Sequence, residues 1–302
     1  MAGMILLLGL TLYLQLGRIP PSRVYNLSKE LEFMPPIIDS HLHIWSDDVE
    51  RFPRQEVPYP GSAELLLEYM DEAGVEQSVI VLSMHYQYDN RLLAATLKEY
   101  PDYFAGIGVV DPRGKEAADS LTRLVQDHGI GGVRLRGTIE DEWFCRDDTA
   151  PLWERAAALN VPLCLLGRPN QVELMYRMAE RFPETPVVID HFAMIPSSAG
   201  VESEEFQTFL GLAQFPKVHI KLSGLQYWGG GHYPYPEAQA PLKAAFAAFG
   251  AERVLWGSDW PHILFGGGYI RCLNFVRREL TWLSDAEKEL ILGGTARRLW
   301  WD

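Results

Sequence analysis

Two histidines spaced by one residue, His41 and His43, end an apolar run that begins near Ile37. Side chains of an extended segment alternate, so both imidazoles face one way while Leu42 faces the other. That spacing suits two ligands of one metal ion. His191 ends a second apolar run in VVIDHF, and Asp259 ends a third in VLWGSDWPH. Together they make an N/O donor set suited to zinc or manganese, in which the carboxylate can also take a proton from water and return it to a leaving group. Taken singly each signal is weak. His-x-His is a short pattern, and a carboxylate at a strand end also serves as a helix cap.

A second group could hold a substrate. Arg134 and Arg136 close the run GVRLRG on one face, where buried guanidinium groups require anions. An internal ion pair with Asp39, Asp190 or Asp259 meets that need, and so does a bidentate grip on a substrate carboxylate. Lys221 and Ser223 share a face of a later run and are candidates for the same work. His85, Gln87, Tyr227, Trp228 and His262 are candidates for pocket contacts or walls. His128 suits a helix end beside Gly129. His219 lies deeper in its run than Lys221, and His232 falls in the glycine-rich loop GGGHYPYP. Cys145, Cys164 and Cys272 are odd in number and show no CxxC spacing. They read as packing residues, with neither a disulfide framework nor a cysteine zinc site.

What must position these groups is an alternation of short β-branched apolar runs with stretches of helical period. Eight runs are expected, near residues 37–39, 78–83, 104–110, 132–135, 162–166, 187–190, 218–222 and 254–256. Helices are expected over 63–73, 91–99, 117–128, 151–159, 172–181, 204–213, 241–249 and 285–299, with Asn90 opening one and Gly74 and Gly129 closing others. Most runs are continuously apolar, which means burial on both faces of a parallel sheet. The first runs into histidines and not into a phosphate-binding glycine loop, so a single-domain (β/α)₈ TIM barrel is expected over a doubly wound sheet. In such a barrel the strand C-termini carry the chemistry.

HLH, IDH and GSDWP at strands one, six and eight resemble the amidohydrolase-related barrels, particularly the branch of sugar-lactone and aromatic-degradation lactonases. YDNRLL, GVRLRG and KLSGL add to the likeness, which runs from about Pro36 to Trp301. The resemblance implies hydrolysis of a carboxylated or sugar-derived lactone by water, with Asp259 and His191 catalytic. It implies that His41, His43, His191 and Asp259 hold one divalent metal, zinc or manganese, where a metal is used; the branch also contains metal-independent forms. Arg134, Arg136, His85, Ser223, Tyr227 and His262 are then the expected substrate contacts. Leu166 stands where the related decarboxylases carry a histidine on strand five, which disfavours decarboxylation or hydration of a muconate-like acid. No Lys or Glu ends runs four or five to bridge two metals. A catalytically inactive binding barrel is the alternative outside enzymology.

The formal net charge of −13 disfavours nucleic acid as a partner and leaves a small-molecule substrate as the expectation. Residues 1–33 are set apart from the barrel at 34–302. Their apolar stretch, 4–16, is short for a membrane span and reads as a weak anchor, a targeting segment or translation upstream of Met34. A membrane-associated or organellar location is expected only if that stretch is kept and functional, and otherwise a cytoplasmic protein. Homo-oligomers are compatible with the sequence, which has no feature specifying one.

Overall fold

The computed structural model describes residues 36–136 and 146–302; Cys145 and the N-terminal segment lie outside them. Eight parallel strands follow one another around a single sheet in the order β1 to β8. They are β1 (Ile38–Leu42), β2 (Gln77–Val81), β3 (Phe104–Val109), β4 (Val133–Arg136), β5 (Leu163–Leu166), β6 (Val187–Ile189), β7 (Val218–Leu222) and β8 (Val254–Trp256). The principal outer helices are α1 (Ala63–Ala73), α2 (Arg91–Glu99), α3 (Ala117–His128), α4 (Ala150–Leu159), α5 (Val172–Arg181) and α6 (Glu204–Gly211). After β7 come α7 (Leu225–Trp228) and α8 (Gln239–Phe249), and after β8 come α9 (Tyr269–Asn274), α10 (Asp285–Glu289) and α11 (Thr295–Trp300). This is the expected TIM barrel.

The seam between β8 and β1 is closed by the chain just beyond β8. Leu42 bridges Trp260, the His43 N–H donates to the Trp260 carbonyl at 2.7 Å, and the Asp259 N–H donates to the His41 carbonyl at 2.8 Å. Asp39 strengthens the same seam, accepting from the Ser258 N–H at 2.9 Å and the His41 N–H at 3.1 Å. Burial pushes the Asp39 carboxyl up to about 6.

Inside the barrel the lower layer is apolar, with Ile38, Val79, Val81, Ile107, Cys164, Val188 and Leu255 packed against Ala296, Leu299, Trp300 and Trp301 of the C-terminal segment. Burial drives that packing at roughly 1.5–3 kcal/mol per large aliphatic side chain. Above it the interior turns polar, with His41, Asp190 and Lys221 fully buried. Gly74 and Gly129 close their helices in left-handed conformation as expected. Asn90 corrects its expectation: its side chain does not cap α2 but is bonded to both backbone groups of Val109, tying the helix start to β3. Helix α9 and the π-helical turn Phe275–Glu279 were not foreseen.

Candidate active site

Strand β1 carries an irregularity in its register with β2 between Asp39 and Leu42, at the point where the histidines begin. Both imidazoles nevertheless reach one place. The Nε2 atoms of His41, His43 and His191 lie 3.7, 3.5 and 3.9 Å from Asp259 Oδ1. Each member is at most 5% exposed, so the four groups meet in a pit screened from bulk water. The His41 Nε2 has no hydrogen-bond partner, and atoms of His41, His191 and Asp259 fall within 4.8 Å of one another. Imidazole nitrogens and a carboxylate with an unpartnered buried nitrogen fit a divalent transition metal.

The backbone is bent to bring them there. His191 and Asp259 adopt left-handed conformations, at φ 52° and 62°, and the left-handed stretch continues through Met194. A non-glycine residue in that region costs on the order of 1–2 kcal/mol, held here by the packing around it. One part of that packing is Phe192, stacked on Trp228 at 4.7 Å between ring centres. Gly224 leaves room for the result, since a Cβ there would stand 2.6 Å from His191 Nδ1.

Each imidazole has a different partner behind it. His43 Nδ1 lies 2.7 Å from the Val81 carbonyl, which only accepts, so this nitrogen carries the proton. His191 Nδ1 meets the Ser223 hydroxyl at 2.8 Å. His41 Nδ1 faces both Asp190 Oδ1 at 3.3 Å and Lys221 Nζ at 3.2 Å. Asp190 is also paired with Arg134 Nε at 2.9 Å. Burial holds His43 near 3 and His191 near 4, and His41 well below the usual imidazole value, so all three are neutral at physiological pH. Burial raises the Asp259 carboxyl above the ordinary carboxylate range, opposed by the nearby His191, His262 and Arg134. Gln226 Nε2 donates to Asp259 Oδ2 at 2.9 Å.

The expected pocket residues divide. His262 lies 5.4 Å from the His43 ring and its Nδ1 meets the Tyr59 hydroxyl. Trp45 stands 5.9 Å from His85 and 6.0 Å from His262, and Tyr59 packs 4.9 Å from the exposed Phe265. Tyr227 is half exposed, with its ring 6.2 Å from His191. Arg136 is exposed at the mouth, where its Nη1 lies against Met84 Sδ. Burial and the charges of Arg134 and Arg168 lower its affinity for its proton. Among the described residues Arg134 takes Asp190 as its carboxylate, and Arg136 and Arg168 have none in ion-pair range.

Others are placed differently from expectation. Lys221 is fully buried against Asp190 and His41, and the Ser223 hydroxyl is engaged by His191. Trp228 is buried, donating its indole N–H to the Ser223 carbonyl at 2.8 Å, and so supports the strand instead of walling the pocket. Gln87 and His232 are exposed. Cys164 is buried with its thiol pushed up to about 12, in keeping with a packing role. Gln226, Tyr59 and Arg168 were missed. No local pattern marks them, although Gln226 directly follows the KLSGL segment.

An eight-stranded barrel with three histidines and an aspartate at the ends of β1, β6 and β8 defines a TIM-barrel hydrolase. The chain belongs to the amidohydrolase family: the family model described as Amidohydrolase matches residues 38–300. It is 38% identical over 296 residues to an L-fucono-1,5-lactonase of Burkholderia multivorans, covering 86% of this chain and 94% of that protein. A second L-fucono-1,5-lactonase, from Burkholderia ambifaria, is 30% identical over 234 residues, with 74% and 80% covered. A solved structure from Pseudomonas putida, described as a candidate 2-pyrone-4,6-dicarboxylic acid hydrolase, superposes with a TM-score of 0.76 at 26% identity, covering 88% of this chain and 97% of that one.

Proposed function

We propose that the protein hydrolyses a small lactone bearing a carboxylate or other anionic group, with Asp259 as the proton carrier. The observation that carries this reading is the meeting of three imidazole Nε2 atoms on Asp259 Oδ1 in a buried pit. The lactonase names of the relatives support lactone hydrolysis, and the dicarboxylic acid named for the Pseudomonas putida structure supports an anionic lactone.

Water attacks the lactone carbonyl carbon while the Asp259 carboxylate takes its proton, and an oxyanion forms at the former carbonyl oxygen. Collapse of that intermediate breaks the ring C–O bond. Asp259 returns the proton to the departing alkoxide, giving a hydroxy acid that ionises to a hydroxycarboxylate. The raised proton affinity of Asp259 suits a group that must both take and return a proton. Gln226 orients the carboxylate. His41, His43, His191 and Asp259 are the residues that would hold one zinc or manganese ion, which when bound would polarise the carbonyl and stabilise the developing negative charge.

Arg136 and Arg168 are the groups to pair with the substrate's anion, because neither has a protein carboxylate among the described residues. Arg134 is assigned instead to holding Asp190. Tyr59, Trp45, His85, His262 and Phe265 supply an aromatic wall. Leu166 ends β5 in register with Arg136, and no strand-five histidine completes a decarboxylase-type centre. The test is a panel of aldonolactones and carboxylated unsaturated lactones assayed by proton release. Hydrolysis favouring anionic members is expected; activity confined to decarboxylation of aromatic acids would overturn the reading.

Among the described residues no helix is long and apolar enough to cross a membrane. We assign the barrel to residues 34–302; the segment 1–33 lies outside the described residues.

A further inference from the structure

We propose that Lys221 is a positioning residue that keeps the proton of His41 on Nε2, and so limits how readily the four-residue centre takes up a divalent metal.

Three atoms form a nearly equilateral triangle in the barrel interior. Lys221 Nζ lies 3.2 Å from His41 Nδ1 and 3.2 Å from Asp190 Oδ1, and the latter two are 3.3 Å apart. The two neighbours of His41 Nδ1 make opposite demands. A carboxylate can only accept, so a bond to Asp190 requires the proton on Nδ1 and leaves the Nε2 lone pair facing Asp259. An ammonium can only donate, so a bond from Lys221 fills the Nδ1 lone pair and places the proton on Nε2.

The balance is set by what each neighbour would lose. Asp190 is held by two cations, with Oδ2 facing Arg134 at 2.9 Å and Oδ1 facing Lys221, so its charge is answered without His41. Lys221 is fully buried, and the Trp300 ring lies 5.8 Å from its nitrogen. Neither Asp190 oxygen has a hydrogen-bond partner among the described residues, its cations standing at ion-pair distance only, whereas the contact between Lys221 Nζ and His41 Nδ1 has hydrogen-bond geometry, and without it an N–H of a buried cation would go unpaired. The proton therefore sits on His41 Nε2, directed toward Asp259 Oδ1 at 3.7 Å.

His41 differs in this from the other two imidazoles. The Val81 carbonyl forces the opposite tautomer on His43, whose Nε2 lone pair is free to ligate, and the Ser223 hydroxyl can donate or accept and leaves His191 adaptable. For a metal to engage His41, the proton must move to Nδ1 and the bond from Lys221 must break. Outer partners of this kind change metal affinity by roughly 10–100-fold.

Nitrogen-15 NMR of the metal-stripped protein with labelled histidine reads the tautomer directly, with His41 signals assigned through His41→Gln. The wild type is expected to show His41 protonated on Nε2. Lys221→Met is expected to move the proton to Nδ1 and to tighten zinc binding about tenfold or more, measured by competition with a chromophoric chelator. Lys221→Arg, which keeps a donor, should retain the wild-type tautomer. A wild-type His41 protonated on Nδ1, or on both nitrogens, overturns the proposal. So does a Lys221→Met protein in which zinc binds more tightly with no change of tautomer, since loss of positive charge alone would then account for it. If Lys221→Met does not fold, the wild-type spectrum alone decides.

Discussion

The Asp259 N–H donates to the His41 carbonyl at 2.8 Å, so the carboxylate assigned as proton carrier and the first histidine are joined through the main chain as well as facing each other through their side chains. The same bond helps close the barrel between β8 and β1. Stability of the seam and placement of the catalytic groups are therefore one structural problem, and changes that disturb the one should disturb the other.

Gly224 shows how little room that arrangement leaves. Its φ is 65°, and a Cβ would meet His191 Nδ1 at 2.6 Å. Gly224→Ala is expected to destabilise the protein by about 1–3 kcal/mol through overpacking and left-handed strain. Displacing His191 should also lower kcat at least tenfold. Urea titration and steady-state kinetics check both, and an unchanged kcat would show that His191 is not held by this contact.

Substrate charge should be read by the arginines at the mouth. Truncating Arg136 or Arg168 to Ala is expected to raise KM for an anionic lactone by about 10–100-fold, corresponding to the loss of a charge-assisted hydrogen bond of about 1.5–3 kcal/mol, with a neutral lactone affected little. Equal losses on both substrates would place the anion elsewhere. Arg134→Ala should behave differently, damaging folding along with activity because it strips Asp190 of a partner.

Acid should destabilise this fold well above the ordinary carboxylate range. His43 is held near 3, and His191, His219 and His262 near 4, against 6.5 for an unperturbed imidazole. Between about pH 6.5 and pH 4 these groups bind more protons unfolded than folded, so stability falls as pH falls through that window. Asp39, raised to about 6, acts in the opposite sense between its unfolded value of 3.8 and about 6, because there the folded state binds the extra proton. Asp259, also raised, acts in the same sense as Asp39, and the four histidines together with His41, which is lowered too, outnumber the two aspartates. The urea midpoint is predicted to drop steadily from pH 7 to pH 5, and a flat or rising profile would contradict this balance.

The strands were legible because each is a local pattern, and so were His41, His43, His191 and Asp259, which end three such patterns. What escaped depended on distant partners. Lys221 shares the parity of a substrate-facing residue on β7, yet Asp190 from β6 and His41 from β1 claim it inside the barrel. Ser223 is taken by His191 in the same way, and Trp228 is drawn under the loop by its stack on Phe192. Nothing in the immediate neighbours of these residues announces a contact across strands. The sequence leaves Asp39, Asp190 and Asp259 open as partners of Arg134, and the register of β4, β5 and β6 selects Asp190.

The central claim is that Asp259 carries the proton in lactone hydrolysis. The most direct test compares wild type with Asp259→Asn on a lactone that the panel shows to be a substrate, each assayed after zinc or manganese addition and after chelation, with circular dichroism to confirm folding. The account predicts a folded variant whose kcat falls by about 10²–10⁴-fold with a modest change in KM. A folded Asp259→Asn protein retaining near wild-type turnover would contradict it.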